Sequence, residues 1–143
     1  MFSHEFDPEL GTAIFLFSGT VNTDDDYTRY LAAVADLDRA CVGRKDAVAL
    51  QVIEHGNEVP NAAWRKRIAD ATAVIQSRPL FVLVTDSAMI RGVLTAINWI
   101  RKPTYEFAIA KTFDEAVVLA STFRGSSLDV PLCAMLARLR ARL

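Results

Sequence analysis

Glu54, His55, Asn57 and Glu58 are the densest run of side chains in the sequence that could do chemistry. An imidazole beside carboxylates has the makings of a general base, or of one half of a metal site. A metal would need further ligands from elsewhere in the chain. His4 is the only other histidine, and it falls near the N-terminus in a presumed edge strand. The cluster therefore reads better as a polar loop whose side chains satisfy backbone groups. An enzyme working through Glu54 and His55 stays as the minor alternative.

Thr85, Asp86 and Ser87 are a second candidate, placed between an apolar run and a helical pattern. Free N–H groups at the start of a helix can bind an anion. No glycine-rich loop accompanies them, and Asp86 brings the charge that would fill such a site, so helix capping is the simpler role. Ser87 also lacks the Gly-x-Ser-x-Gly elbow of a nucleophile. Arg65-Lys66-Arg67 could steer an acidic partner but, beside Trp64 and Ile68, reads as a solvated helix face. Trp99, followed by Arg101 and Lys102, either packs at a sheet edge or offers the kind of exposed Trp enriched at protein interfaces. Cys41 and Cys133 are far apart and form no C-x-x-C pair, which suits reduced, isolated thiols. No complete catalytic, cofactor-binding or metal-binding constellation results.

These side chains need a scaffold, and the composition says which kind. The chain has 143 residues, 52% of them hydrophobic, enough for one domain with a substantial core. Its formal net charge of −1 supplies no positive field for a nucleic-acid backbone, so nucleic acid is disfavoured as a partner. The longest apolar runs, such as 13–17 and 80–84, fall far short of the ~20 residues of a membrane span. The N-terminus has no basic stretch followed by an apolar one, so the expected address is the cytoplasm.

Residues 2–6 alternate and suit an edge strand. Pro8-Glu9-Leu10-Gly11 supplies a turn, and 12–17 is an apolar strand completing a hairpin. Thr23 and Asp26 have capping-box spacing ahead of a helix carrying Tyr27, Leu31, Val34, Leu37 and Cys41, with Gly43 at its exit. Residues 47–53 and 80–85 are almost continuously apolar, the pattern of strands covered on both faces. Pro60 is placed in the first turn of a second helix with a stripe of Trp64, Ile68, Ala71 and Ile75. A third helix carries Ile90, Val93, Leu94 and Ile97. A last strand spans 105–109, and Thr112 to Glu115 matches a capping box. Strands alternating with helices predict an α/β fold: one mixed, mostly parallel sheet of about five strands with helices packed on it. Arg124-Gly125-Ser126-Ser127 reads as a flexible joint separating a domain of residues 1–124 from a segment of 125–143. That segment is an amphipathic helix with Leu132, Met135, Leu136, Leu139 and Leu143 on one face. It either docks on its own domain or contacts a partner or second subunit.

The layout from Thr12 to Thr122 resembles the STAS domain of bacterial anti-sigma-factor antagonists and its SpoIIAA-like relatives. Two local features carry the resemblance. One is the buried strand Ala47-Val-Ala-Leu-Gln-Val52 leading into a loop and helix. The other is Tyr105-Glu-Phe-Ala-Ile-Ala110 followed by Thr112-Phe-Asp-Glu-Ala116. The resemblance implies a regulatory protein that works by binding another protein. Antagonists of this family carry a phosphorylatable Ser or Thr after that buried strand, whereas Glu54 to Trp64 contains no hydroxyl residue. The expected function is thus a non-enzymatic regulatory or scaffolding module without that switch, or a domain holding a small apolar, lipid-like ligand between helices and sheet. The candidate ligand or partner surface comprises Glu54, His55, Asn57, Trp64, Asp86, Ser87 and Trp99, with self-association through the C-terminal helix as a further expectation.

Overall fold

A computed structural model describes residues 1–100 and 102–143, with the side chain of Ile100 also outside the description. Arg101, named above beside Trp99, lies outside the described residues. The elements run β1 (Phe2–Asp7), β2 (Thr12–Phe17), α1 (Asp24–Cys41), β3 (Val48–Ile53), α2 (Ala62–Ala73), β4 (Leu80–Val84), α3 (Ala88–Ile100), β5 (Glu106–Ala110), α4 (Phe113–Arg124) and α5 (Asp129–Ala141).

The strands form one five-stranded sheet in sequential order, β1-β2-β3-β4-β5. β1 pairs antiparallel with β2, Phe2 opposite Phe17, and every other pair is parallel. Right-handed crossovers that each advance by one strand must all pass over the same face. Accordingly α1, α2 and α3 share a core with Ala13, Phe15, Phe17, Ala49, Phe81 and Leu83. The alternate residues, among them Ile14, Leu16, Val48, Leu50 and Val82, meet α4 and α5 on the opposite face. Burial on both sides is why β2, β3 and β4 are apolar at nearly every position.

Local signals place most helix ends. Thr23 and Asp26 form a complete capping box, the Thr23 side chain accepting from the Asp26 N–H and the Asp26 carboxylate accepting from the Thr23 N–H. At α4 the box is only half made: Thr112 Oγ1 accepts from the Glu115 N–H at 3.2 Å, but Glu115 Oε2 accepts from Lys111 instead, at 2.9 Å. α2 begins after Pro60, because Asn61 caps it by accepting the Trp64 N–H at 2.9 Å.

The hairpin turn is held from outside. Gly11 adopts φ +63°, and a Cβ there would lie 2.5 Å from Nε of Arg44. The Arg44 guanidinium donates to the Pro8 and Glu9 carbonyls at 3.0 Å each, and Arg124 donates to the Leu10 carbonyl.

The C-terminal helix docks on its own chain. Leu132, Met135, Leu136 and Leu139 are buried in the second core, while Leu143 is left largely exposed. Arg138 and Arg142 pair with Glu5 on β1, and Arg140 pairs with Glu54. The joint before it is a tight turn: Gly125 closes α4 in the left-handed region, and the buried Leu128 donates its N–H to Ser121 Oγ at 2.9 Å. The apolar side of α5 is thus largely spent inside the chain, with Val130 and Leu143 left exposed.

Candidate functional site

Parallel pairing of β3 and β4, with Val52 opposite Val84, brings the loops after both strands to the same end of the sheet. That is where open α/β sheets usually build sites. His55 and Asp86 meet there, Nδ1 to Oδ2 at 2.8 Å, although each was singled out from the sequence separately. The imidazole side chain is 89% exposed. With its proton on Nδ1, it donates to the Asp86 carboxylate, which orients the ring.

The surrounding polar groups do not converge on that ring. Glu54 Oε1 faces Arg140 Nε at 3.2 Å. Glu58 Oε1 accepts from the Asn22 N–H at 2.8 Å. Ser87 Oγ accepts from the Ile90 N–H at 3.2 Å and so caps the start of α3. Among the described residues no group of three or more His, Cys, Asp or Glu is placed to hold a metal. The polar side chains of this loop are taken up by α5, by Asp86 and by the neighbouring loop after β2.

Two of the sequence candidates are not surface residues. Asn57 is buried, its amide donating to the Gly19 carbonyl at 2.8 Å and its oxygen accepting from Asn22 Nδ2 at 2.9 Å, which ties the loop after β3 to the loop after β2. Trp64 is buried against α1: its ring stacks on Tyr27 with centroids 5.0 Å apart, and its indole N–H donates to Asp24 Oδ1 at 2.7 Å. Arg67, from the basic run, lies over that ring at 4.1 Å. Both residues are consumed in holding α1, α2 and their loops together. Trp99, by contrast, is 85% exposed.

A concave feature lies between α2, α3 and the sheet, where an apolar ligand is expected from the sequence. Tyr30, Gln51, Ile53, Ile68, Ile90 and Leu94 line a cavity of about 50 Å³. A second crevice, of about 280 Å³, is lined by Thr72, Ile97, Asn98, Lys102 and Tyr105 among others. Ile97 borders both, so the two adjoin along the α2–α3 seam. His55 and Asp86 line neither. At the cavity wall the buried Tyr30 hydroxyl donates to Gln51 Oε1 at 2.8 Å. Burial, reinforced by Tyr105, pushes the Tyr30 hydroxyl far above its ordinary pKa, so it remains a neutral donor. The visible signal was Gln51 itself, one amide in an otherwise apolar strand.

α2 and α3 cover this seam loosely. Ile68, Ala71, Val93, Leu94 and Ile97 are only half-buried, whereas the corresponding positions of α1, such as Val34 and Leu37, are fully buried. No helix among the described residues is long and apolar enough to cross a membrane. Compared with protein-family models, with curated proteins and with solved structures, the chain gives no significant match to any of them.

Proposed function

We propose that this chain is a non-catalytic, STAS-like regulatory module whose working surface is the α2–α3 layer, and that the crevice under that layer takes a small apolar, lipid-like ligand. One observation carries the reading: the inward residues of α3, Val93, Leu94 and Ile97, remain half-exposed around a cavity with a single buried polar pair, Tyr30 and Gln51. Ligand sites are typically concave and mostly apolar, with a few placed polar groups, and occupy about 300–1,000 Å³. The apolar cavity itself holds about 50 Å³, and the room for a ligand comes from the adjoining crevice of about 280 Å³, whose wall also carries Thr72, Asn98 and Lys102. The exposed His55–Asp86 pair lines neither crevice, which favours recognition over catalysis. With no hydroxyl residue from Glu54 to Trp64, occupancy of the crevice takes the place of phosphorylation as the switch. Native mass spectrometry of gently purified protein tests this. A co-purifying or added fatty acid should be retained and should be lost in Leu94→Arg. A chain that stays ligand-free across a panel of fatty acids and other small apolar compounds overturns it.

A protein-binding role draws on a separate observation, the outward side of α3, where Met89 and Trp99 are 69% and 85% exposed. Exposed apolar anchors of this size are typical of interfaces. Capture of a specific protein by the wild type and not by Trp99→Ser would support it; equal capture by both would count against it.

A further inference from the structure

α3 is apolar on two sides. Its inner residues line the crevice, and its outer face carries Met89, Gly92, Ala96 and Trp99, all exposed. The spacing of three, four and three residues is that of successive a and d positions in a heptad. No charged residue lies in this stripe; Arg91 is turned away and donates to the Thr85 carbonyl at 3.2 Å. A helix apolar on two sides needs cover on both, and only the inner one faces its own chain.

We infer that a second copy of this chain encloses it, through antiparallel pairing of α3 with α3 about a two-fold axis at the level of Leu94. This identifies the occupant of the outward side of α3 and so rests on reading that side as a protein-binding surface. In such a pair, residues equally far from Leu94 face each other across the axis. Met89 then meets the partner's Trp99, and Gly92 meets the partner's Ala96. The large side chains pack at the two ends while the small ones let the backbones approach at the centre. The same symmetry sets Asp86, just before α3, against the partner's Lys102, just after it, and both residues are exposed. Parallel pairing would instead put Asp86 against Asp86 and Lys102 against Lys102. Charge therefore selects the antiparallel register, as does the alignment of the helix dipoles.

Gly92 gives independent support. It sits inside a helix, where glycine lowers stability relative to alanine. Its φ is ordinary for any residue, and a Cβ there would meet nothing within 4 Å. Nothing inside the chain requires glycine at this position, whereas a close helix–helix contact does.

A one-helix contact is at the small end of interface sizes, so association is weak and concentration-dependent. Sedimentation equilibrium of the full chain over a wide concentration range is the test, with circular dichroism to establish that each variant is folded. Trp99→Glu should abolish the dimer. Gly92→Leu, whose Cβ would meet nothing in the isolated chain, should weaken it. Asp86→Lys and Lys102→Asp should each weaken it by about tenfold, and the double exchange should restore it. A chain that is monomeric at every concentration, or a dimer indifferent to Trp99→Glu, overturns the inference. Failure of the double exchange to restore association overturns the register. A monomer that binds phosphatidylglycerol vesicles through Trp99 would assign the face to a membrane surface and also overturn it. A monomer that captures a different protein through Trp99 would overturn self-association while leaving the protein-binding reading intact.

Discussion

The Tyr30 hydroxyl on α1 donates to Gln51 Oε1 on β3 at 2.8 Å, with both side chains buried at the wall of the cavity. Removing one partner of a buried hydrogen bond leaves the other unsatisfied, whereas replacing both by apolar groups can be nearly neutral. Tyr30→Phe should therefore destabilise the chain by about 1–3 kcal/mol. Tyr30→Phe combined with Gln51→Leu should recover most of that loss. Urea denaturation of the two variants and the wild type checks the cycle; equal stability of Tyr30→Phe and wild type would remove the pair as a structural element.

Asp26 predicts a pH dependence. Burial opposes its ionisation, but the Thr23 and Phe2 N–H groups, the Thr23 hydroxyl and the N-terminal ammonium together hold its carboxyl below its ordinary value. A carboxyl lowered in the folded state stabilises fully above its unfolded value of about 3.8, and that contribution is lost as pH falls through the lower folded value. Asp38, which accepts from the Gln76 and Ser77 N–H groups, is lowered in the same direction despite its burial. Acidification below about pH 4 should lower the urea midpoint of the wild type. Asp26→Asn should be less stable at neutral pH and fall less steeply on acidification. Parallel curves for the two proteins would show that Asp26 is not the linked group.

Gly11 should tolerate no side chain. Its positive φ strains any L-residue, and a Cβ would meet the Arg44 guanidinium, which is engaged with the Pro8 and Glu9 carbonyls. Gly11→Ala is expected to cost about 2 kcal/mol or more, read as a lowered melting temperature. In an Arg44→Ala background part of that cost should vanish, because the close approach disappears and only the backbone strain stays.

The contrast between α5 and the polar loop can be measured directly. Leu139 is fully buried in the second core, so Leu139→Ala should destabilise by about 2–5 kcal/mol. The exposed His55–Asp86 pair is held in high dielectric, and His55→Ala should change stability by no more than about 0.5–1 kcal/mol. Deleting residues 126–143 would strip the sheet face that α5 covers, and an aggregating product is expected. A soluble, folded truncation would mean that α5 adds little to the core.

What the sequence determined by itself was the order of elements and the layered α/β architecture, because these follow from short-range chemistry. Strand and helix periods, the Thr23–Asp26 box and the turn at Gly11 all act over a few residues, and each lies where that chemistry puts it. Periodicity also marks which faces are apolar, but it does not say what covers them. Only the tertiary structure decided that the stripe of α5 is buried by its own sheet, that Trp64 is spent against Tyr27, and that Trp99 stands in the open. The meeting of His55 with Asp86 and the burial of Asn57 against Asn22 and Gly19 depend on which strands lie side by side and in what register. Those are long-range packing choices, and no local pattern in the chain encodes them.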